Sequence, residues 1–290
     1  MTTRTFILGS NWLYFKIYTG YKTADFILTD IIYSIVENLK RQNLVSHWFF
    51  IRYSDPDFHI RVRFYIPDTQ NISKILSDLN NSFNPLLEDN LIWNVQFDSY
   101  KRELERYGEN TMELSEQIFY RDSEFVINLI KLSKVNNLDS KLWLYLLKSI
   151  DVFLSDFEYD IDSKLLFMKE LQENYYREFS VNEHNDWQFG QNYRTFRKEI
   201  EQILDVNNNN NEDNPIFKLI SLKSEQTKES INDLLTQQKS NSLEVEIKDL
   251  LMSYIHMSVN RVFRSQQRKY ELIIYDFLQR YYNSLLKRKK

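Results

Sequence analysis

The stretch from Trp48 to Phe64 restricts the fold of this 290-residue chain more than any other. Two apolar, β-branched and aromatic runs flank Ser54-Asp55-Pro56-Asp57, residues that favour chain reversal, so the segment reads as a β-hairpin. Alternate residues of an antiparallel strand share a face. Phe58, Ile60, Val62 and Phe64 are therefore expected to pack inward, with His59, Arg61 and Arg63 together on the opposite face. Three potential cations within five residues are unusual in a chain whose formal net charge is −4. Alternation alone favours a plain reading, because a sheet with one wet face needs polar residues there and arginine is a good cross-strand partner.

The flanking sequence supplies partners for the hairpin. Trp12 to Tyr18 is aromatic and β-branched and reads as a strand. Thr23 can cap a helix, and Ile27, Leu28, Ile31, Ile32, Ile35, Val36 and Leu39 keep helical spacing to about Arg41. After the hairpin, Pro67 ends the strand. Asp68 or Asn71 starts a second helix carrying Ile72, Ile75, Leu76, Leu79 and Phe83 on one face. Leu91 to Phe97 then reads as a fourth strand. The order β-α-β-β-α-β is the ferredoxin-like arrangement. It predicts a four-stranded antiparallel sheet with both helices on one face and the other face wet or covered by later chain.

Strand signals almost vanish from Lys101 onward, so the class expected is α+β: a ferredoxin-like part, 1–100, and a mostly helical part, 101–290. No linker rich in Pro, Gly or Ser separates the two, which predicts that they pack as one body. Leu114, Ile118, Val126, Leu129 and Ile130 suggest one or two helices broken near Asp122. Further helices are marked by Leu142 to Phe153 and by Leu165 to Tyr175, the latter ending before Ser180. The polar stretch Asn182 to Asn192, with Trp187 and Gly190, reads as a loop, and Phe196 to Leu204 as a helix. Asn207 to Asn214 is a low-complexity loop with five consecutive asparagines. Pro215 suits the first turn of the next helix. Ile247, Leu250, Leu251, Tyr254, Ile255 and Ser258 mark a long helix, and Leu272 to Tyr281 the last one. The basic tail from Lys287 to Lys290 reads as a solvated end.

Composition closes several routes. The absence of cysteine removes disulfides, thiolate nucleophiles and cysteine-based metal sites. His47, His59, His184 and His256 show no paired metal-ligand spacing, so no metal is expected. Four scattered glycines make neither a GxGxxG nor a P-loop, so no nucleotide cofactor is expected, and the absence of GxSxG argues against a serine nucleophile of that type. An acidic balance argues against a general grip on nucleic acid. No export signal and no run of eighteen apolar residues appears, so the expectation is a soluble cytoplasmic protein without a membrane span. Three places remain for chemistry: the hairpin face with His59, Arg61 and Arg63; the segment Glu103 to Glu109, where Gly108 offers unusual backbone freedom beside Glu105 and Arg106; and His256, which lies off the apolar stripe of its helix with Asn260 one turn later. A solvent-exposed Glu105–Arg106 pair and an ordinary surface histidine are the plain readings of the last two.

At these residues the chain resembles a known family. The Trp12 to Tyr18 start, the hairpin from Phe50 to Arg63, the Glu105-Arg106-Tyr107-Gly108 segment followed by Glu113 to Glu116, and the late His256-x-x-x-Asn260-Arg261 occur in that order in the C-terminal elimination domain of class I lantibiotic dehydratases. This domain is also called the thiopeptide-type bacteriocin biosynthesis domain. The likeness covers roughly residues 8 to 286. It implies lyase chemistry without a cofactor. A glutamylation domain moves glutamate from glutamyl-tRNA onto Ser or Thr of a ribosomally made precursor peptide, and the elimination domain expels it, leaving dehydroalanine or dehydrobutyrine. The family's functional arginines match Arg61, Arg63 and Arg106, and its late histidine matches His256; His59 is expected to orient the site. These residue types suit the reaction. Arginine forks bind carboxylates through paired hydrogen bonds, donors aimed at developing negative charge can contribute about 3–4 kcal/mol each, and histidine moves protons near neutral pH.

Only eleven residues precede Trp12, too few for the glutamylation domain. The resemblance therefore implies a stand-alone member whose partners are the glutamylated precursor and a separate glutamylation protein, with a homodimer suggested by the fused enzymes. Other stand-alone relatives catalyse a formal [4+2] cycloaddition between two dehydroalanines, forming the pyridine of thiopeptides. Retention of the three arginines and the histidine favours elimination. A different class of function is a peptide-binding subunit without chemistry, using a sheet edge for strand addition.

Overall fold

A computed structural model describes residues 2–205 and 214–289. The strands are β1 (Thr5–Phe6), β2 (Trp12–Thr19), β3 (His47–Ser54), β4 (Phe58–Tyr65), β5 (Ile92–Asp98) and β6 (Tyr100–Lys101). Between β2 and β3, α1 (Thr23–Phe26) runs through a π-helical stretch, Ile27–Ile32, into α2 (Tyr33–Arg41), and α3 (Ile72–Glu88) joins β4 to β5. There follow α4 (Leu104–Tyr107), α5 (Met112–Val135), α6 (Leu142–Asp156), α7 (Ile161–Glu178), α8 (Glu183–Leu204), α9 (Pro215–Lys239), α10 (Ile247–Val262) and α11 (Gln267–Lys289). The chain divides into two compact units, Met1–Lys131 with Asn232–Ser265, and Leu132–Ile231 with Gln266–Lys290.

The first unit holds a four-stranded sheet in the order β3-β4-β2-β5, antiparallel throughout, as the ferredoxin-like order predicts. Period-two alternation sorts its residues. Phe15, Ile17, Ile60, Val62 and Phe64 are wholly buried, and Phe15 meets Phe64 at 5.2 Å, Phe97 at 5.8 Å and Phe83 of α3 at 6.1 Å. Each such side chain contributes about 1.5–3 kcal/mol on burial. Helix α2 touches α3 and buries Ile35, Val36 and Leu39.

The opposite face is covered by chain beyond residue 98 of the same unit, the second of the two arrangements the pattern allows. Tyr100 packs against Trp12 and Phe49 at 5.4 and 5.9 Å, and Phe119 of α5 against Phe49 at 5.4 Å. The outer edge of β3 is closed as well. The Asn260 side chain accepts from Arg52 N–H and donates to Arg52 C=O, both at 2.9 Å, as a neighbouring strand would. Arg261 Nε donates to Phe50 C=O at 2.8 Å, and Ser123 Oγ accepts from Phe50 N–H at 3.3 Å. An edge covered in this way is withdrawn from unwanted pairing.

Two helix readings are corrected. No break occurs at Asp122, because α5 is continuous; the buried Asp122 carboxylate is paired with Arg261 at 2.8 Å and bonded by Ser258 at 2.9 Å. Nor is Asn182 to Asn192 a loop. Asn182 and Asn185 form a reciprocal capping box that starts α8, so the polar residues lie on a helix. The asparagine run at 207–211 lies outside the described residues, and Pro215 does open α9. Within the second unit α11 runs along α7, with Tyr175 edge-on to Tyr275 at 5.0 Å. It also meets α8 through Phe277 and Tyr193 at 5.9 Å and α6 through the Tyr282–Asp151 hydrogen bond of 3.0 Å. Among the described residues no helix is long and apolar enough to cross a membrane.

Candidate active site

Strand β4 presents His59, Arg61 and Arg63 on one face, and the register sets Tyr18, Lys16 and Tyr14 of β2 directly beside them. Tyr53, Ile51 and Phe49 of β3 flank them on the other side. His59 is fully buried, its ring lying 4.7 Å from that of Tyr18 and 5.6 Å from that of Tyr53. Arg61 Nε donates to His59 Nε2 at 3.1 Å, and the guanidinium lies 3.4 Å over the Tyr53 ring. Burial lowers the His59 pKa below the ordinary histidine value, and Arg61 and Lys16 push it the same way.

Arg63 is the most constrained of the three. It is only 8% exposed, and its Nε and Nη1 groups are buried with no hydrogen-bond acceptor among the described residues. Its guanidinium is surrounded by the rings of Tyr14, Tyr100 and Phe49, at 4.4, 4.9 and 5.1 Å. Cation–π contacts of roughly 0.5–2 kcal/mol each hold such a group, yet the dehydration of an uncompensated guanidinium costs several kcal/mol. Burial accordingly lowers its pKa from the ordinary arginine value, though arginine remains a cation. Among the described residues Arg63 has no ion-pair partner, and the Glu103 carboxylate acts on it only as a weaker field.

Arg106 comes from α4, a single turn that ends at Gly108 with φ +77°. A Cβ there would come within 2.8 Å of Thr111 Oγ1, so glycine is required on both counts. Arg106 Nε donates to Ser253 Oγ of α10 at 3.1 Å, and Nη1 pairs loosely with Glu103 at 3.4 Å. The expected salt bridge of Glu105 with Arg106 does not form; Glu105 pairs with Arg4 at 2.5 Å. Burial pushes the pKa of the Tyr107 hydroxyl up to about 12, with Arg106, Arg261 and Arg63 pulling it down and Glu103 pushing it up.

His256 stands on α10 three residues after Ser253 and four before Asn260. Residues at these separations share one helix face. On that face Ser253 receives Arg106 and Asn260 clamps β3 at Arg52, so the partly exposed His256 lies between a contact to α4 and a contact to the sheet. The structure thus brings His59, Arg61 and Arg63 onto one sheet face and ties Arg106 to the helix face that carries His256.

Residues beside these escaped the sequence reading. Lys16, opposite Arg61, is held by Asp98 at 2.6 Å, and Tyr14, Tyr18 and Tyr53 form the aromatic walls. Alternation along β2, read against the hairpin, was the signal for Tyr14, Lys16 and Tyr18. Among the described residues no group of three or more His, Asp or Glu could hold a metal ion.

Comparison with known proteins adds the following. A family model described as the C-terminal part of lantibiotic biosynthesis dehydratases matches residues 12–282. Subtilin biosynthesis protein SpaB of Bacillus subtilis is 30% identical over 172 residues, 58% of this chain and 16% of that protein. Nisin biosynthesis protein NisB of Lactococcus lactis subsp. lactis is 28% identical over 269 residues, 92% of this chain and 25% of that protein. The chain therefore spans a quarter or less of the length of these relatives. Two solved structures share its fold. The tRNA-dependent lantibiotic dehydratase MibB from Microbispora sp. 107891 has a TM-score of 0.71 at 20% identity, covering 98% of this chain and 29% of that one. The pyridine synthase TbtD from thiomuracin biosynthesis has a TM-score of 0.66 at 10% identity, covering 95% and 100%.

Proposed function

The chain belongs to the lantibiotic biosynthesis dehydratase C-terminal family, and from that premise we propose that it expels glutamate from glutamylated Ser or Thr of a precursor peptide. A separate protein would supply the glutamylation. Hydroxide is a poor leaving group and a carboxylate a good one, so the ester makes the elimination feasible. A base takes the Cα proton, its electron pair becomes the Cα=Cβ bond, and the Cβ–O bond breaks with its pair passing to the departing glutamate carboxylate. His256 is assigned to proton transfer. Arg61 and Arg63, two residues apart and so about 7 Å apart along the strand, suit an ester carbonyl and a free carboxylate of one glutamyl group. Arg106 assists with the negative charge that develops, and His59 orients Arg61.

The observation that carries this reading is Arg63: a buried guanidinium walled by aromatic rings, with two nitrogens, Nε and Nη1, lacking acceptors among the described residues. A departing carboxylate is the chemical complement of such a group. Incubation with a Ser-glutamylated precursor tests it by mass: loss of whole glutamate units supports elimination, and persistence of the ester at wild-type enzyme concentrations refutes it.

Cycloaddition to a pyridine is the second reading, favoured by the match to the full length of TbtD. A doubly dehydrated peptide that is cyclised, while the glutamylated one is left untouched, would select it.

A further inference from the structure

Helices α8 and α11 of the second unit face each other across a cleft of about 670 Å³. On α8 the wall residues Asp186, Gly190, Tyr193, Arg194 and Arg197 recur at helical spacing, as do Arg280, Asn283, Ser284 and Lys287 on α11. Facing helix stripes are ordinarily apolar; these are polar and cationic. We propose that this cleft is a binding site for an acidic peptide segment, separate in its residues from the elimination chemistry above.

Tyr193 gives the independent sign of a missing ligand. It is 7% exposed and lines the cleft, yet its hydroxyl has no hydrogen-bond partner among the described residues. That hydroxyl lies in the fields of Glu201 and of the three cations Arg197, Arg288 and Arg280. A buried phenol ordinarily finds a partner, and a carboxylate entering beside these cations would accept a hydrogen bond from it.

The cations are held ready. Arg280 Nε grips both oxygens of the buried Asp276 at 3.0 and 2.8 Å, and Nη2 reaches Asp186 at 2.5 Å. The guanidinium crosses α8 at Gly190, where a Cβ would lie 3.4 Å from Nη1. Arg197 and Arg288 share Glu201. Arg194 and Lys287 are exposed and make no ion pair among the described residues. Five cations, Arg194, Arg197, Arg280, Lys287 and Arg288, against three carboxylates, Asp186, Glu201 and Asp276, leave a surplus of two. That surplus matches one or two carboxylates. A nucleic-acid backbone needs a broader basic face and would meet the Asp186 carboxylate on the wall. Gln279 and Asn283 add amide groups suited to a peptide backbone.

Fluorescence anisotropy with the whole protein tests the proposal, using a fluorescein-labelled peptide of alternating Glu and Gly and its Gln–Gly counterpart. The acidic peptide should bind at least about ten-fold more tightly than the neutral one, and the double variant Arg194→Gln, Lys287→Gln should weaken it by about ten-fold. Tyr193→Phe should weaken binding several-fold while leaving the thermal midpoint unchanged, since the hydroxyl has no partner to lose. Equal affinity for the two peptides, or binding indifferent to the variants, overturns the proposal. So does displacement of the acidic peptide by single-stranded RNA or inorganic phosphate at lower concentration than by unlabelled peptide.

Discussion

Arg61 donates its Nε–H to Nε2 of His59 across 3.1 Å, and that bond decides the tautomer of the histidine. Nε2 is the acceptor, so the proton resides on Nδ1, which donates to the Asp57 carbonyl at 2.8 Å. His59 is thus a neutral post for a neighbouring cation, and its buried ring with a lowered pKa fits that part.

Removing the post should loosen Arg61 without unmaking the sheet. His59→Leu keeps the bulk and removes the acceptor, so glutamate release from a glutamylated peptide should fall about ten-fold, as for one lost positioning bond worth about 1.4 kcal/mol. His59→Gln retains an acceptor and should recover part of that loss. Wild-type rates in both variants, measured at saturating peptide, would remove His59 from the site.

Arg63 separates function from stability. Its charge is dehydrated without an ion pair, so Arg63→Met, which preserves the apolar packing among Tyr14, Phe49 and Tyr100, should leave the protein as stable as wild type or about 1–2 kcal/mol more stable. The same variant should lose about 100-fold or more in elimination rate. A urea melt and a single-turnover assay on one preparation read both quantities. A destabilised but active variant would mean that Arg63 serves the core.

The hairpin face was legible because strand alternation is local: once Trp48 to Phe64 pairs with itself, His59, Arg61 and Arg63 must share a side. Extending that alternation to β2 would have found Tyr14, Lys16 and Tyr18. Arg52, on the same hairpin, was not legible. Its fully buried guanidinium depends on Asp25 of α1 at 2.7 Å, a partner that sequence spacing does not reveal. Asp122 misled for the same reason, since its partner Arg261 lies 139 residues away. Asn182 to Asn192 misled by composition: asparagine and glycine signal turns, but a capping box and the close approach of Arg280 at Gly190 are helical uses of the same residues.

His47 should make stability depend on pH. Its ring stacks on Tyr65 at 4.6 Å, and burial, with Arg102 and Arg121 acting in the same direction, lowers its pKa to about 4. The unfolded value is about 6.5. Between these values the unfolded chain binds a proton that the folded chain refuses, so this contribution is complete above about pH 6.5 and is lost as pH falls toward 4. From pH 7 to 5 the wild type should lose about 1 kcal/mol more than His47→Phe, a figure reduced for the partial exposure of the ring. Urea midpoints at the two pH values check it; identical pH dependence in both proteins would contradict the assignment.

Asn260 couples the edge of the sheet to the helix that carries His256. Its amide satisfies both the N–H and the C=O of Arg52, and without it both groups lose their partner beside the buried Arg52–Asp25 pair. Asn260→Ala should therefore cost about 2–6 kcal/mol, at about 1–3 kcal/mol for each buried group left unsatisfied. Asn260→Asp keeps the acceptor for Arg52 N–H but sets a carboxylate against Arg52 C=O, so it should cost at least as much above neutral pH. If α10 is held in register by this clamp, Asn260→Ala should also lower kcat on glutamylated peptide more than it raises KM, because His256 is four residues away on the same face while the hairpin arginines stay where β2 and β4 hold them. A variant with a lower thermal midpoint, full kcat and an unchanged KM at temperatures below unfolding would show that the clamp serves the edge strand alone.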